Sequence, residues 1–249
     1  MKNKLKLVYV SIAALTGAVL FGTLVGNGDP VTSYVAALIS FGGALALSYG
    51  YSEKEQRSMA MTCGAITAGI TLNCNDPLSS GVVAKFYIAN KADIASYVVD
   101  PSNPMLVTDI TMAAGKTFFE IEGQLQSTQP LFAMIKGTYV NNFEHTVSFL
   151  IFKVDPATKE QILEMKDGNF VCIIENNYTG ATGNCKYEIY GLGSGLKAEV
   201  IERNPSDAET LGAYKIDLKT QEYAREAKPP VALFDTDLAT TEALIASLV

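Results

Sequence analysis

The sequence contains little histidine, few cysteines and none of the short motifs that mark common enzyme classes. His145 is the only histidine, and its alternating apolar neighbours are typical of one face of a strand, so we do not expect it to be a catalytic base. The sequence has no P-loop, G-x-S-x-G elbow, H-E-x-x-H helix or acidic calcium loop. We therefore predict that the protein is not an enzyme and has no catalytic, cofactor-binding or metal-binding residues.

The four cysteines also lack the spacing of a zinc or redox site. Cys63 and Cys74 are 11 positions apart and Cys172 and Cys185 are 13 apart, whereas such sites use C-x-x-C pairs. We expect reduced, partly buried thiols, and the spacing does not decide whether any of them pair.

Charge is unevenly distributed along the chain. The net charge of the whole chain is −7. Residues 1–60 have a net charge of about +2, so residues 61–249 have a net charge of about −9. An acidic surface repels phosphate, so the composition argues against a nucleic-acid reader. Two interpretations stay open: a solvated face, or an acidic passage along which DNA slides without sticking.

The first 58 residues are predicted to form a helical membrane hairpin. Residues 7–28 and 30–52 contain no charged residue, and each run is longer than the roughly 20 residues needed to cross a bilayer. Asn27–Pro30 forms a turn between them. Lysines precede the first run, and Lys54 and Arg57 follow the second, which places both ends in the cytoplasm. A cleaved signal peptide explains this arrangement less well, because a second apolar run follows at once.

Residues 59–249 are predicted to form a separate, mainly β domain. Short segments rich in Val, Ile, Phe and Tyr alternate with Gly, Asn, Asp and Pro. The predicted strands are Val82–Ala89, Tyr97–Val99, Val107–Met112, Phe118–Leu125, His145–Phe152, Phe170–Glu175, Lys186–Leu192, Lys197–Arg203 and Ala213–Leu218. In Phe118–Leu125 the alternation places Phe119, Ile121, Gly123 and Leu125 on the inward face.

Two helices are predicted within this domain. Asp155 can cap a helix that starts at Pro156, and Asp167-Gly168 ends it. A second helix is expected near Asp237–Val249, after the Pro229-Pro230 break.

Two polar, glycine-rich segments are interpreted as turns. Gly191-x-Gly193-x-Gly195 lacks the spacing of a dinucleotide loop and favours a hairpin turn. The glycosylation-type triplet Asn177–Thr179 lies in Asn176–Asn184, which we interpret as an exposed hairpin loop.

Several runs resemble virion proteins of the tail-tube class of tailed phages, over about three quarters of the chain. The similar runs are Met61–Cys74, Phe86–Ile94, Ile110–Phe118, His145–Phe149, Tyr187–Leu196 and Thr210–Ile216. Their order matches this family more closely than their identities do.

The resemblance implies a β-sandwich or barrel with a flanking helix. It also implies self-assembly of six copies into a ring, rings stacked into a tube, other tail proteins as partners, and DNA that passes through the lumen unbound. A long hairpin or loop reaches the neighbouring ring in that family, and Gln126–Asn142 and Asn176–Asn184 are candidates for it here. Ring size, tail type and the residues facing the bore stay open.

The N-terminal hairpin departs from that family, whose members are soluble before assembly. Residues 1–58 are either a genuine membrane anchor, which would place that segment in the host inner membrane, or a holin-like frame joined to the tube sequence by a start or sequence error. The alternative function is a membrane-anchored β-domain that binds a partner, in place of a subunit located in the virion.

Overall fold

The computed structural model describes residues 66, 68–71, 74, 76–124 and 126–249. The predicted hairpin of residues 1–58 and its boundary with the β domain lie outside these residues and stay predictions. Among the residues described, no helix has both the length and the hydropathy to span a bilayer.

The described chain is mainly β, with two α-helices and a short 3₁₀ helix at Lys91–Asp93. Its elements in chain order are β1 Val82–Asn90, β2 Ile94–Val99, β3 Leu106–Met112, β4 Phe119–Glu122, β5 Thr128–Ile135, β6 Asn142–Ile151, α1 Pro156–Met165, β7 Phe170–Asn176, β8 Tyr187–Tyr190, β9 Lys197–Arg203, β10 Tyr214–Lys219, β11 Val231–Leu233 and α2 Leu238–Leu248. Every predicted strand has a counterpart, while β5 and β11 were not predicted.

The strands form two sheets that pack face to face. One sheet has seven strands in the order β2-β3-β11-β8-β7-β1-β4, and the other has four in the order β5-β6-β10-β9. Phe86 of β1 and Phe149 of β6 meet edge to face across the interface, with ring centroids 4.8 Å apart. The predicted mainly β fold is therefore confirmed for the described residues, and of the two predicted forms, a sandwich or a barrel, the two separate sheets correspond to the sandwich.

The central strands of the seven-stranded sheet are buried on both faces. On β7, Cys172 and Ile174 belong to the core shared with the four-stranded sheet. Val171 and Ile173 belong to a second core, which Ile245 and Leu248 of α2 cover. An uninterrupted apolar strand such as β7 is what burial on both faces requires.

Both helices begin where the sequence predicts. The Asp155 carboxylate accepts a hydrogen bond from the Thr158 N–H at 2.8 Å, with Pro156 in the first turn of α1. At α2, Asp237 accepts from the Thr240 N–H at 2.8 Å, which completes a capping box.

The inward face predicted for Phe118–Leu125 is partly wrong. Phe118 is buried beneath α2, where its N–H donates to the Leu248 carbonyl at 2.7 Å, whereas Phe119 is 58% exposed. Ile121 does pack against the core. The reason is that β4 is a four-residue edge strand, so Phe119 faces inward at a border that none of the other described strands covers.

Three cysteines of the described residues, Cys74, Cys172 and Cys185, are free thiols. Cys74 is exposed, so the prediction of partial burial is wrong there, whereas Cys172 is buried and Cys185 is half-buried, as predicted. Burial raises the pKa of the Cys172 and Cys185 thiols, so they stay protonated and poorly reactive at neutral pH.

Candidate assembly surface

The outer half of the β5–β6 hairpin is an exposed apolar feature of the β domain. β5 pairs with β6 from Thr128 opposite Phe149 to Ile135 opposite Asn142. Thr128 is buried at the inner end of the hairpin, but every residue from Leu131 to Met134 is exposed. We call residues 131–143 the hairpin arm.

The hairpin arm exposes large apolar side chains along its whole length. Tyr139 at its tip is 96% exposed, Leu131 is 61% exposed and Met134 is 59% exposed, and Phe132 and Val140 are exposed as well. Lys136 is the only charged residue of the arm. Such a cluster, with almost no charge to solvate it, is typical of a surface that another protein covers.

Both faces of the hairpin arm are open. Leu131 and Phe132 are neighbours on one strand, so their side chains point to opposite faces, and both are exposed. The Phe132 ring lies 6.3 Å from the Phe143 ring of β6 and is supported on one side. A partner could therefore contact the arm from either face or along its free edge.

The turn at the tip is close-packed at Gly137. A Cβ atom built on Gly137 would collide with the Val140 carbonyl oxygen. Glycine is thus needed where the chain folds back on itself.

The base of the hairpin arm is held firmly to the rest of the molecule. Phe143 and Glu226 exchange two backbone hydrogen bonds, of 2.8 and 2.9 Å. His145 lies opposite Phe132. Its backbone N–H donates to the Thr220 hydroxyl at 3.2 Å, and its carbonyl accepts from the Thr220 N–H at 3.0 Å. The arm therefore projects from a fixed base.

The imidazole of His145 is a structural group at this base. It is buried, its Nδ1 accepts from the Gly191 N–H at 3.2 Å, and its Nε2 lies 3.0 Å from the Lys228 carbonyl. These partners require the neutral form with the proton on Nε2. The structure confirms the predicted place on one face of a strand.

Stability should depend on the protonation of His145. Burial lowers its pKa, against smaller opposing effects of the Glu226 carboxylate and the Lys228 carbonyl. The unfolded chain takes up a proton as pH falls below about 6.5, while the folded chain does not. The stability that neutral His145 contributes is thus fully present above that pH and is lost below it. The free energy of unfolding should therefore fall by at most about 1.4 kcal/mol between pH 6.5 and pH 5.5.

Urea unfolding at pH 8, 6.5 and 5.5 measures this dependence. His145→Gln keeps an amide donor for Lys228 but does not titrate, so its stability should change less over the same range. Identical pH profiles for the two proteins would contradict the assignment.

The glycine-rich segment after β8 is a turn, but the predicted hairpin is wrong. β8 belongs to the seven-stranded sheet and β9 to the four-stranded sheet, so residues 191–196 carry the chain from one sheet to the other. The buried Glu226 carboxylate accepts from the Ser194 N–H at 2.7 Å and from the Gly193 N–H at 3.2 Å. The same short segment around Glu226 thus fixes both this turn and the arm base.

The second candidate for an inter-ring segment, Asn176–Asn184, packs on its own chain. It joins the antiparallel strands β7 and β8, which confirms the predicted hairpin loop. The Asn177 N–H donates to the Gly81 carbonyl at 3.1 Å, and the Tyr178 hydroxyl bonds to Asp76 at 2.8 Å. Because these groups already have intramolecular partners, the hairpin arm is the freer of the two segments.

The outer face of the four-stranded sheet carries paired charges. Lys219 lies 3.2 Å from Glu144 and 3.4 Å from Glu199, and Lys215 lies 3.2 Å from Glu202. Most of this face is therefore locally neutralised. An acidic lumen stays a prediction.

Comparison with known proteins adds no family to this description. No family model, curated protein or solved structure matches the chain. The fold defines a mainly β protein of two packed sheets.

Proposed function

We propose that the chain is a self-assembling virion subunit of the tail-tube class, and that the hairpin arm makes its main contact between copies. The observation that carries the proposal is the exposed, nearly uncharged arm on a fixed base. The resemblance of the sequence to tail-tube proteins indicates the kind of assembly, which is a tube of stacked rings. The predicted location is the virion.

Leaving the hairpin arm in water is unfavourable for the isolated molecule. A fully buried aliphatic or aromatic side chain gains about 1.5–3 kcal/mol over an exposed one, and the arm exposes five such side chains. Among the described strands, β5 also has a free edge, which can pair with another chain. Covering the arm would remove both liabilities.

A contact between the arm and a different surface of an identical subunit is heterologous. Heterologous contacts close into rings or propagate as filaments, according to the rotation between copies. Six copies per ring, stacking of rings and passage of DNA follow from the resemblance. In this proposal the subunit acts through geometry, with other tail proteins at the tube ends and no catalytic step.

Sedimentation velocity of the full chain over a range of concentrations tests the proposal. We expect discrete species much larger than a monomer, whose share increases with concentration. A monomer at every concentration, salt and pH tested would overturn it. A membrane-anchored binding domain would instead depend on detergent and show no preferred ring size.

A further inference from the structure

Each sheet has one edge strand that carries charge and one that carries none. In the seven-stranded sheet, half of β4 is glutamate, whereas β2 is uncharged. In the four-stranded sheet, β9 has four charged residues of seven, whereas β5 is uncharged. Charged side chains are a common protection of sheet edges against pairing. β2 and β5 are thus the two edges without it.

The β2 edge offers space for apolar side chains. Tyr97 and Val98 are exposed on it. A cavity of about 450 Å³ lies against the strand, lined by Lys91, Ile94, Ala95, Ser96, Tyr97 and Leu192. The Lys91 ammonium lies at one end of this cavity and already donates a hydrogen bond to the Leu192 carbonyl at 2.9 Å.

We infer that the hairpin arm of one copy docks on the β2 edge of the next copy. This inference rests on the proposed function and names the acceptor of the same contact. The arm has a single charged residue, Lys136, and β2 has none, and both surfaces expose aromatic and aliphatic side chains, so the contact takes little charge out of water. The register of β2 with β3 shifts at both ends, so a regular edge is limited to Ser96–Val98 and side-chain packing has to carry much of the contact.

The other edges are poorer acceptors. Docking on β4 or β9 would take glutamates and lysines out of water without new partners, which is costly. Pairing of β5 with β5, or of β2 with β2, is isologous and stops at a dimer. A single kind of contact extends the assembly only when it joins two different surfaces.

Complementation between two variants of the full chain tests the inference. Met134→Lys disables the arm and leaves β2 intact, while Val98→Lys disables β2 and leaves the arm intact. Each variant alone should sediment as a monomer. An equimolar mixture can form one competent contact, so we expect a heterodimer and nothing larger.

Controls separate the possible failures. Val98→Thr keeps an uncharged β-branched side chain and should assemble like the unmodified chain, and Ser96→Lys should repeat the effect of Val98→Lys. If Met134→Lys blocks assembly while both β2 lysine variants assemble normally, the acceptor is wrong and the proposed function stands. A mixture that stays monomeric also overturns the β2 acceptor. If the unmodified chain never assembles, the proposed function itself fails.

Discussion

Replacing Met134 with lysine is expected to abolish self-association while the subunit stays folded. Met134 is exposed on the hairpin arm, and the contact would have to bury the new ammonium group without a partner. We expect the association constant to fall at least about 100-fold, which corresponds to about 2.7 kcal/mol. Substitutions at exposed positions usually change folding stability by less than about 0.5 kcal/mol, so thermal unfolding of the monomer should hardly change.

Leu163→Lys is the matched control for this variant. Leu163 is 63% exposed on α1, close to the 59% of Met134, but it lies outside the hairpin arm. Sedimentation should show normal assembly for Leu163→Lys and monomers for Met134→Lys. Equal loss of assembly in both variants would mean that added charge, and not the arm, is responsible.

Phe149→Ala is expected to cause the largest loss of folding stability. Phe149 is buried between the two sheets and packs edge to face on Phe86, so truncation leaves a cavity at the centre of the sandwich. Phenylalanine-to-alanine changes in cores cost about 3–5 kcal/mol. For a domain of this size that corresponds to a decrease in Tm of about 10 °C.

Phe119→Ala provides the comparison, because it removes the same ring from an exposed position. It should change stability by less than about 1 kcal/mol, since Phe119 lies at the open border of β4. Calorimetry on both variants gives the two values. Similar losses would contradict the packing of the two sheets at Phe149 and the exposure of Phe119.

The sequence predicts most strands because apolar alternation and turn residues determine them locally. β5 was missed because Pro130 interrupts it and its outer half is apolar without alternation. β11 has only three residues directly after Pro229-Pro230, and its place between β3 and β8 depends on distant parts of the chain. Local pattern cannot reveal strands that long-range pairing creates.

The candidate site was predicted only in outline. Gln126–Asn142 was a candidate contact segment by resemblance, but its apolar exposure depends on which residues the second sheet leaves uncovered. The same limit applies to the glycine-rich turn after β8, because nothing in residues 191–195 shows that the next strand joins another sheet. The environment of His145 likewise comes from Gly191 and Lys228, both far away in the sequence.

Electron microscopy of the purified full chain in negative stain shows directly whether the subunit self-assembles. We expect rings or stacked tubes with a central hole, which disappear in Met134→Lys and persist in Leu163→Lys. Dispersed monomers of the unmodified chain at high concentration would contradict it.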